Sequence, residues 1–277
     1  PTSLRELGMA EADLDRAAAL AKMPNVLLAT YGDMLKVPGS KESLAEVKAQ
    51  GYPVHIVYST LDALRLAHEH PDKQVVFFAI GFETTAPAAA AAVLQARAQG
   101  LSNFSICSVM KLTIPGARAL LDMGEVRVHG VIGPGHVSSI IGADAWRFLP
   151  EQYGLPVAIS GFEPLDLLAA VDALLEMIEG GKPGLSNGYT RIVKAEGNRK
   201  AWGAVNAVFE RGTATWRGFG EIPESGLLLR EEYAALDADR RFQPEVAASS
   251  EHPACRCGEV LRGVVEPPDC KVYGTVC

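Results

Sequence analysis

The chain has 277 residues, a net charge of -7, 48% hydrophobic and 21% charged residues, a balance that fits a globular protein and disfavours nucleic acid or an anionic membrane as main partner. At this length roughly 70–75% of the unfolded surface is buried on folding, so no disulfide or metal is needed merely to keep the chain folded. No apolar run approaches the ~20 residues that span a bilayer and PTSLRELGMAEADLDR lacks a basic-then-apolar leader, so the expected setting is the cytoplasm, with a small molecule or a protein as partner.

In chain order, short β-rich runs alternate with Ala- and Leu-rich segments of helical spacing between about residues 10 and 180, the pattern of βα units on parallel sheets. Strands are expected at 25–32, 54–59, 74–80, 104–109, 129–133 and 156–160, with helices at 41–50, 60–70, 84–99, 114–122 and 163–179. Ser40, Thr60 and Asp62 read as helix-start signals, and Gly100 closes the alanine-rich helix. After residue 180, GGKPGLSNGY is turn-rich, a helix is expected at 199–210, and TATWRGFGEIPESG reads as irregular. The expected fold class is α/β, with two parallel-sheet lobes at 1–102 and 103–185, a connecting region at 186–250 packed on them, and a cysteine-rich module at 251–277.

Gly81-Phe82-Glu83 and Gly161-Phe162-Glu163 each follow a strand and open a helix, where ligands collect in open α/β sheets. A glycine turn followed by a dipole-matching glutamate explains the same echo without function. GFETTAP offers the Glu83 carboxylate with the Thr84 and Thr85 hydroxyls, or simply a threonine N-cap ahead of Pro87. GPGHVSSIIG sets His136 between glycines, with Ser138 and Ser139 at a helix start. His136 is either a titratable ligand-facing group or a loop filler. Asp33 and Lys36 of GDMLKVPGS lie at another strand tip, as site groups or as a solvated pair.

Cys255, Cys257, Cys270 and Cys277 crowd the last 23 residues. In a reducing compartment such a cluster reads as metal binding or redox chemistry, and four thiolates satisfy either Zn²⁺ or an iron–sulfur cluster. Cys107, inside the apolar run FSICSV, reads as a small buried hydrophobe. Gly184-Leu185-Ser186-Asn187-Gly188 matches G-x-S-x-G but follows GGKP, so it reads as a turn and not a nucleophile elbow. Asn103-Phe104-Ser105 matches the glycosylation pattern, which a chain without a secretory leader does not use.

Taken in order, GDMLKVPGS, VYSTLDAL, VVFFAIGFETTAP, GPGHVSSIIG, GFEPLDLL, WRGFG and CRCGEVLRG with DCKVYGTVC resemble the HypD family of hydrogenase-maturation proteins over essentially the whole chain. The resemblance implies two α/β lobes plus a small module holding a 4Fe-4S cluster. It also implies work with a HypC-type chaperone to assemble and carry the Fe(CN)2CO unit of nickel–iron hydrogenases, with cyanide coming from HypE and HypF. It places cluster ligands at Cys257, Cys270 and Cys277, with a fourth expected past the last residue. Cys255 becomes a neighbouring redox thiol, or a substitute ligand. His136, Glu83, Thr84 and Thr85 become cleft residues near the transient Fe(CN)2CO iron. The family's upstream cysteine motifs have no counterpart in these residues, so the resemblance implies an internal fragment of a longer chain.

Two other readings predict different behaviour. A zinc-stapled α/β adaptor would use all four clustered cysteines as a closed structural site and absorb no visible light. A conventional enzyme would use His136 and Glu83 as acid and base and turn over a substrate without any hydrogenase partner.

Overall fold

The computed structural model describes residues 10–246 and 253–274. In the first lobe, β1 (Val26–Tyr31), β2 (Val54–Val57), β3 (Gln74–Ala79) and β4 (Phe104–Ser108) form a parallel sheet in the order β2-β1-β3-β4. The runs VLLATY, QVVFFA and FSICS are apolar without alternation, as strands covered on both faces must be. α1 (Glu11–Ala21) and α2 (Leu44–Ala49) cover one face, where Leu14 and Val47 meet Leu28 and Phe78. α3 (Thr60–Glu69) and α4 (Ala86–Ala98) cover the other, over Leu27, Phe77 and Ile106. α4 buries five alanines (Ala86, Ala89, Ala90, Ala92, Ala96), and these small side chains let its backbone lie close to the sheet.

The helix starts are chemically specified. Ser43 and Ser59 accept from the amides of Glu46 and Asp62 in reciprocal capping boxes. The first lies three residues after Ser40, whose hydroxyl instead donates to Asp15 at 2.6 Å.

The second lobe runs through α5 (Thr113–Asp122), β5 (Val131–Pro134), α6 (Gly135–Ile141), α7 (Phe148–Tyr153), β6 (Val157–Ser160), α8 (Pro164–Glu179) and β7 (Leu185–Asn187). Its sheet is also parallel, in the order β5-β6-β7. Trp146, Phe148 and Leu149 pack on Val157 and Ile159 on one face, while Ala170 and Leu174 of α8 cover Ala158 on the other.

α9 (Arg199–Val208) then leads into a hairpin of β8 (Phe209–Trp216) and β9 (Gly220–Leu229), which returns Phe209, Leu227 and Leu229 to the first lobe's core. α10 (Ala238–Phe242) and α11 (Cys257–Leu261) follow. Among the described residues, no helix is long and apolar enough to cross a membrane.

The two parallel-sheet lobes match the expected class, with local differences. β4 pairs with β3, so Phe104–Ser108 belongs to the first sheet although residue 102 was the expected division. GLSNG is not a turn: Leu185–Asn187 forms β7 and pairs with β6, leaving Ser186 in mid-strand and not on a strand-to-helix elbow. TATWRGFGEIPESG is not irregular either. It forms most of the hairpin, with a bulge between Gly212 and Ala214 and a positive φ at Glu224 after Pro223, features that blur strand alternation in the sequence. The helices at 11–21 and 148–153 were not anticipated.

Candidate functional site

Strand order reverses between β1 and β3, so the loops after these two strands flank the crevice where open α/β sheets bind ligands. After β1, Gly32–Lys36 forms a short 3-10 turn that leaves Asp33 and Lys36 exposed. After β3 the chain must turn sharply, and Gly81 does so at φ +119, where a Cβ would lie 2.5 Å from Thr85 Oγ1. That hydroxyl lies 3.0 Å from the Ile80 carbonyl and 3.1 Å from the Phe82 carbonyl, to which it donates. Thr85 therefore shapes the loop by folding back on it, while Thr84 is exposed.

Glu83 is only 2% exposed. Its carboxylate accepts from the Thr113 amide and from the Thr113 hydroxyl, both at 2.7 Å. Thr113 is the first residue of α5, so the carboxylate sits at a helix N-terminus, where negative charge is favoured. Burial nevertheless dominates and raises its pKa, against the opposing hydrogen bonds from Thr113.

Glu83 also lines a cavity of about 580 Å³. Leu112, Ile114 and Pro115 meet Ile141, Ala145 and Trp202 across it, and the cations Arg118 and Arg211 and the carboxylates Asp122 and Glu224 complete the wall. Arg118 lies over the Phe148 ring, 4.1 Å from its centroid. Such a space suits a compact guest with an apolar part and an anionic or hydrogen-bond-accepting part.

His136 occupies the first turn of α6, one turn earlier than the sequence suggested, and stacks on Phe162 with centroids 5.0 Å apart. Partial burial of the ring lowers its pKa. Ser138 and Ser139 have local partners: Ser138 Oγ donates to the Pro134 carbonyl at 2.8 Å and accepts from Trp146 Nε1 at 2.9 Å, and Ser139 Oγ donates to the His136 carbonyl at 2.7 Å. His136 and Glu83 thus stand at the tips of strands in different sheets, and His136 is not among the residues lining the Glu83 cavity.

The repeated Gly-Phe-Glu triplets share a position but not a chemistry. Glu163 pairs with Arg191 at 3.0 Å on the surface, while Glu83 is buried. Both phenylalanines contact a ring, Phe82 with Trp216 at 5.9 Å and Phe162 with His136 at 5.0 Å.

In the cysteine module, the sulfurs of Cys255 and Cys257 lie 3.3 Å apart. Cys270 is buried, and N–H groups of Val272 and Arg256 directed at its sulfur lower its pKa. Soft thiols with backbone N–H groups aimed at sulfur are the donor chemistry that an iron–sulfur cluster takes. Cys277 lies outside the described residues, and among those described no three His, Cys, Asp or Glu side chains are placed to hold a metal ion.

The module docks on the rest of the chain at two places. Arg262 donates to the Met123 and Glu125 carbonyls at 3.4 and 3.2 Å, and the Arg127 amide donates back to the Arg262 carbonyl at 2.8 Å. At the hairpin tip, a Cβ on Gly218 would lie 3.0 Å from Cys257 Cβ.

Cys107 is a fully buried strand residue whose thiol pKa is raised well above normal by burial, in keeping with a packing role. Thr113, Arg118 and Arg211 are not singled out in the sequence, and Trp216 enters there only as part of WRGFG. Only Thr113, just ahead of Pro115, carried a helix-start signal there.

The family model for HypD, described as the "Hydrogenase formation hypA family", matches residues 9–277. The hydrogenase maturation factor HypD of Rhizobium leguminosarum bv. viciae is 47% identical, over 95% of this chain and 71% of its own length. The factor of the same name from Azotobacter vinelandii is 46% identical, over 95% of this chain and 72% of its own. That of Escherichia coli K12 is 40% identical, over 95% and 71%.

Proposed function

The chain belongs to the HypD family, and on that premise we propose that it serves hydrogenase maturation as an iron–sulfur scaffold. With a HypC-type chaperone it holds and carries the Fe(CN)2CO unit while cyanide arrives from HypE and HypF. The observation that carries this reading is the family match across residues 9–277, joined to a thiol module docked on a two-lobed α/β body.

Cys257, Cys270 and Cys277 would hold a 4Fe-4S cluster, with Cys255 as the neighbouring redox thiol. When bound, such a cluster supplies one-electron transfer. The N–H groups on Cys270 favour its thiolate, the form that ligates metal. The body of the chain does the holding. Leu112, Ile114, Ala145 and Trp202 give the cavity an apolar wall, while Arg118 and Arg211 present guanidinium donors to an anionic, cyanide-bearing cargo. Glu83 fixes the start of α5, which bears Arg118. His136, on the other lobe, presents an imidazole biased toward its neutral, accepting form.

The test is infrared spectroscopy of the chain copurified with its HypC-type chaperone from cells supplying HypE and HypF. Stretching bands of metal-bound cyanide and carbon monoxide are expected. A complex that forms but shows neither band would sink the cargo-carrying role.

A further inference from the structure

We infer that the second lobe carries a docking groove for a basic amphipathic helix of a partner protein, seated beside α8 and over the edge strand β5. The groove arises because α8 covers only the middle of its sheet. Ala170 and Leu174 pack on Ala158 of β6. On the same face, Ile132 of β5 pairs in register with Ala158, yet it is 44% exposed while Ala158 is 1% exposed. The described chain therefore covers Ile132 only in part.

The flank of α8 that overlooks this gap can be identified. A Cβ at Gly130, just before β5, would lie 3.1 Å from Leu174 Cδ2, whereas one at Gly184, just before β7, would lie 3.4 Å from Met177 Sδ. The Leu174 side therefore faces β5. At about 100° per residue, Leu167, Ile178, Val171, Leu175 and Leu168 continue from Leu174 around that same flank. They are 37, 41, 42, 50 and 66% exposed. Helices on a parallel sheet normally lie side by side with axes about 8–10 Å apart, so a further helix seated beside α8 would lie over β5 and cover this apolar flank.

Charge selects the occupant. α8, PLDLLAAVDALLEMIE, contains no lysine or arginine, and Asp172, Glu176 and Glu179 follow the apolar stripe along its outer edge. The nearby cation Arg191 is already engaged by Glu163 and Asp166. A second copy would bring two acidic rows together, and an anionic membrane would meet the same row. A partner helix with leucine-type residues on one face and lysine or arginine along one edge satisfies both features.

The test titrates a synthetic helical peptide, with leucines at i, i+3, i+4 and i+7 and a lysine/arginine edge, against the full chain. A twin peptide carries glutamate at every basic position. The basic peptide should bind saturably, and the acidic twin about tenfold or more weakly, the effect of two or three rim ion pairs. Leu168→Asp with Leu175→Asp should abolish binding. Glu176→Lys with Glu179→Lys should instead reverse the preference between the peptides. All four positions are exposed, and circular dichroism checks that each variant stays folded. Equal binding of both peptides or no saturable binding overturns the proposal. So does self-association, or binding to anionic vesicles, that Leu168→Asp removes.

Discussion

Gly218, at the tip of the β8–β9 hairpin, sits so close to Cys257 that a methyl group on it would lie 3.0 Å from the Cys257 Cβ and 3.0 Å from the Gly258 nitrogen. The approach is mutual, since a Cβ on Gly258 would lie 2.9 Å from the Gly218 carbonyl oxygen. Two residues before this glycine, at the end of β8, Trp216 packs over Gly116, contacts Phe82 at 5.9 Å and donates from Nε1 to Ser225 Oγ at 2.8 Å. The hairpin thus ties the cysteine module to the loop that carries Glu83.

Gly218→Ala should therefore loosen the module specifically. It combines a steric conflict with a φ of +78, together costing about 1–3 kcal/mol. Limited proteolysis within the cysteine module, residues 253–274, should accelerate while the main thermal transition shifts by only a few degrees.

Glu83 gives a signed pH prediction. Its folded pKa is raised by burial, so its stabilising contribution is fully present below the ordinary carboxylate range and is lost as pH rises through the raised value. Relative to Glu83→Gln, the native chain should lose denaturant resistance as pH rises above the ordinary carboxylate range. Parallel stability curves for the two proteins would contradict this assignment.

Much of this arrangement was legible in the residues, and the failures have physical causes. Strands β1, β3 and β4 are apolar runs that only a doubly covered parallel sheet needs, so they could be read directly. Glu83 was visible as a candidate because it ends a strand, but its partner Thr113 is 30 residues away and no local pattern announces it. The hairpin was hidden because Pro223, Glu224 and the Gly212/Ala214 bulge interrupt its alternation. Ser186 was misread because a three-residue strand is too short to show a period.

Lys111 and Asp13 form a buried ion pair at 3.1 Å, with side chains 6% and 11% exposed, joining α1 to the segment that follows β4. Lys111→Met should cost about 3–5 kcal/mol by stranding the carboxylate, whereas Lys111→Met with Asp13→Leu should recover most of that loss. Chemical denaturation of both variants measures the difference.

The proposed cargo role makes Arg118 and Arg211 testable. Arg118→Met keeps much of the side-chain volume over Phe148 but removes the donors, and should weaken retention of Fe(CN)2CO about tenfold or more, as loss of a charged hydrogen bond does. The cyanide and carbon monoxide bands of the copurified complex, normalised to protein, provide the readout.

The most direct measurement is anaerobic reconstitution of the full-length protein, which carries the expected fourth ligand, with iron and sulfide, read by visible absorption and metal analysis. A 4Fe-4S module should give a brown protein holding iron and acid-labile sulfide in equal amounts, with the colour lost in Cys257→Ala and Cys270→Ala but kept in Cys255→Ala. A colourless protein that takes up zinc instead, and loses it equally on substitution of any of the three, would contradict it.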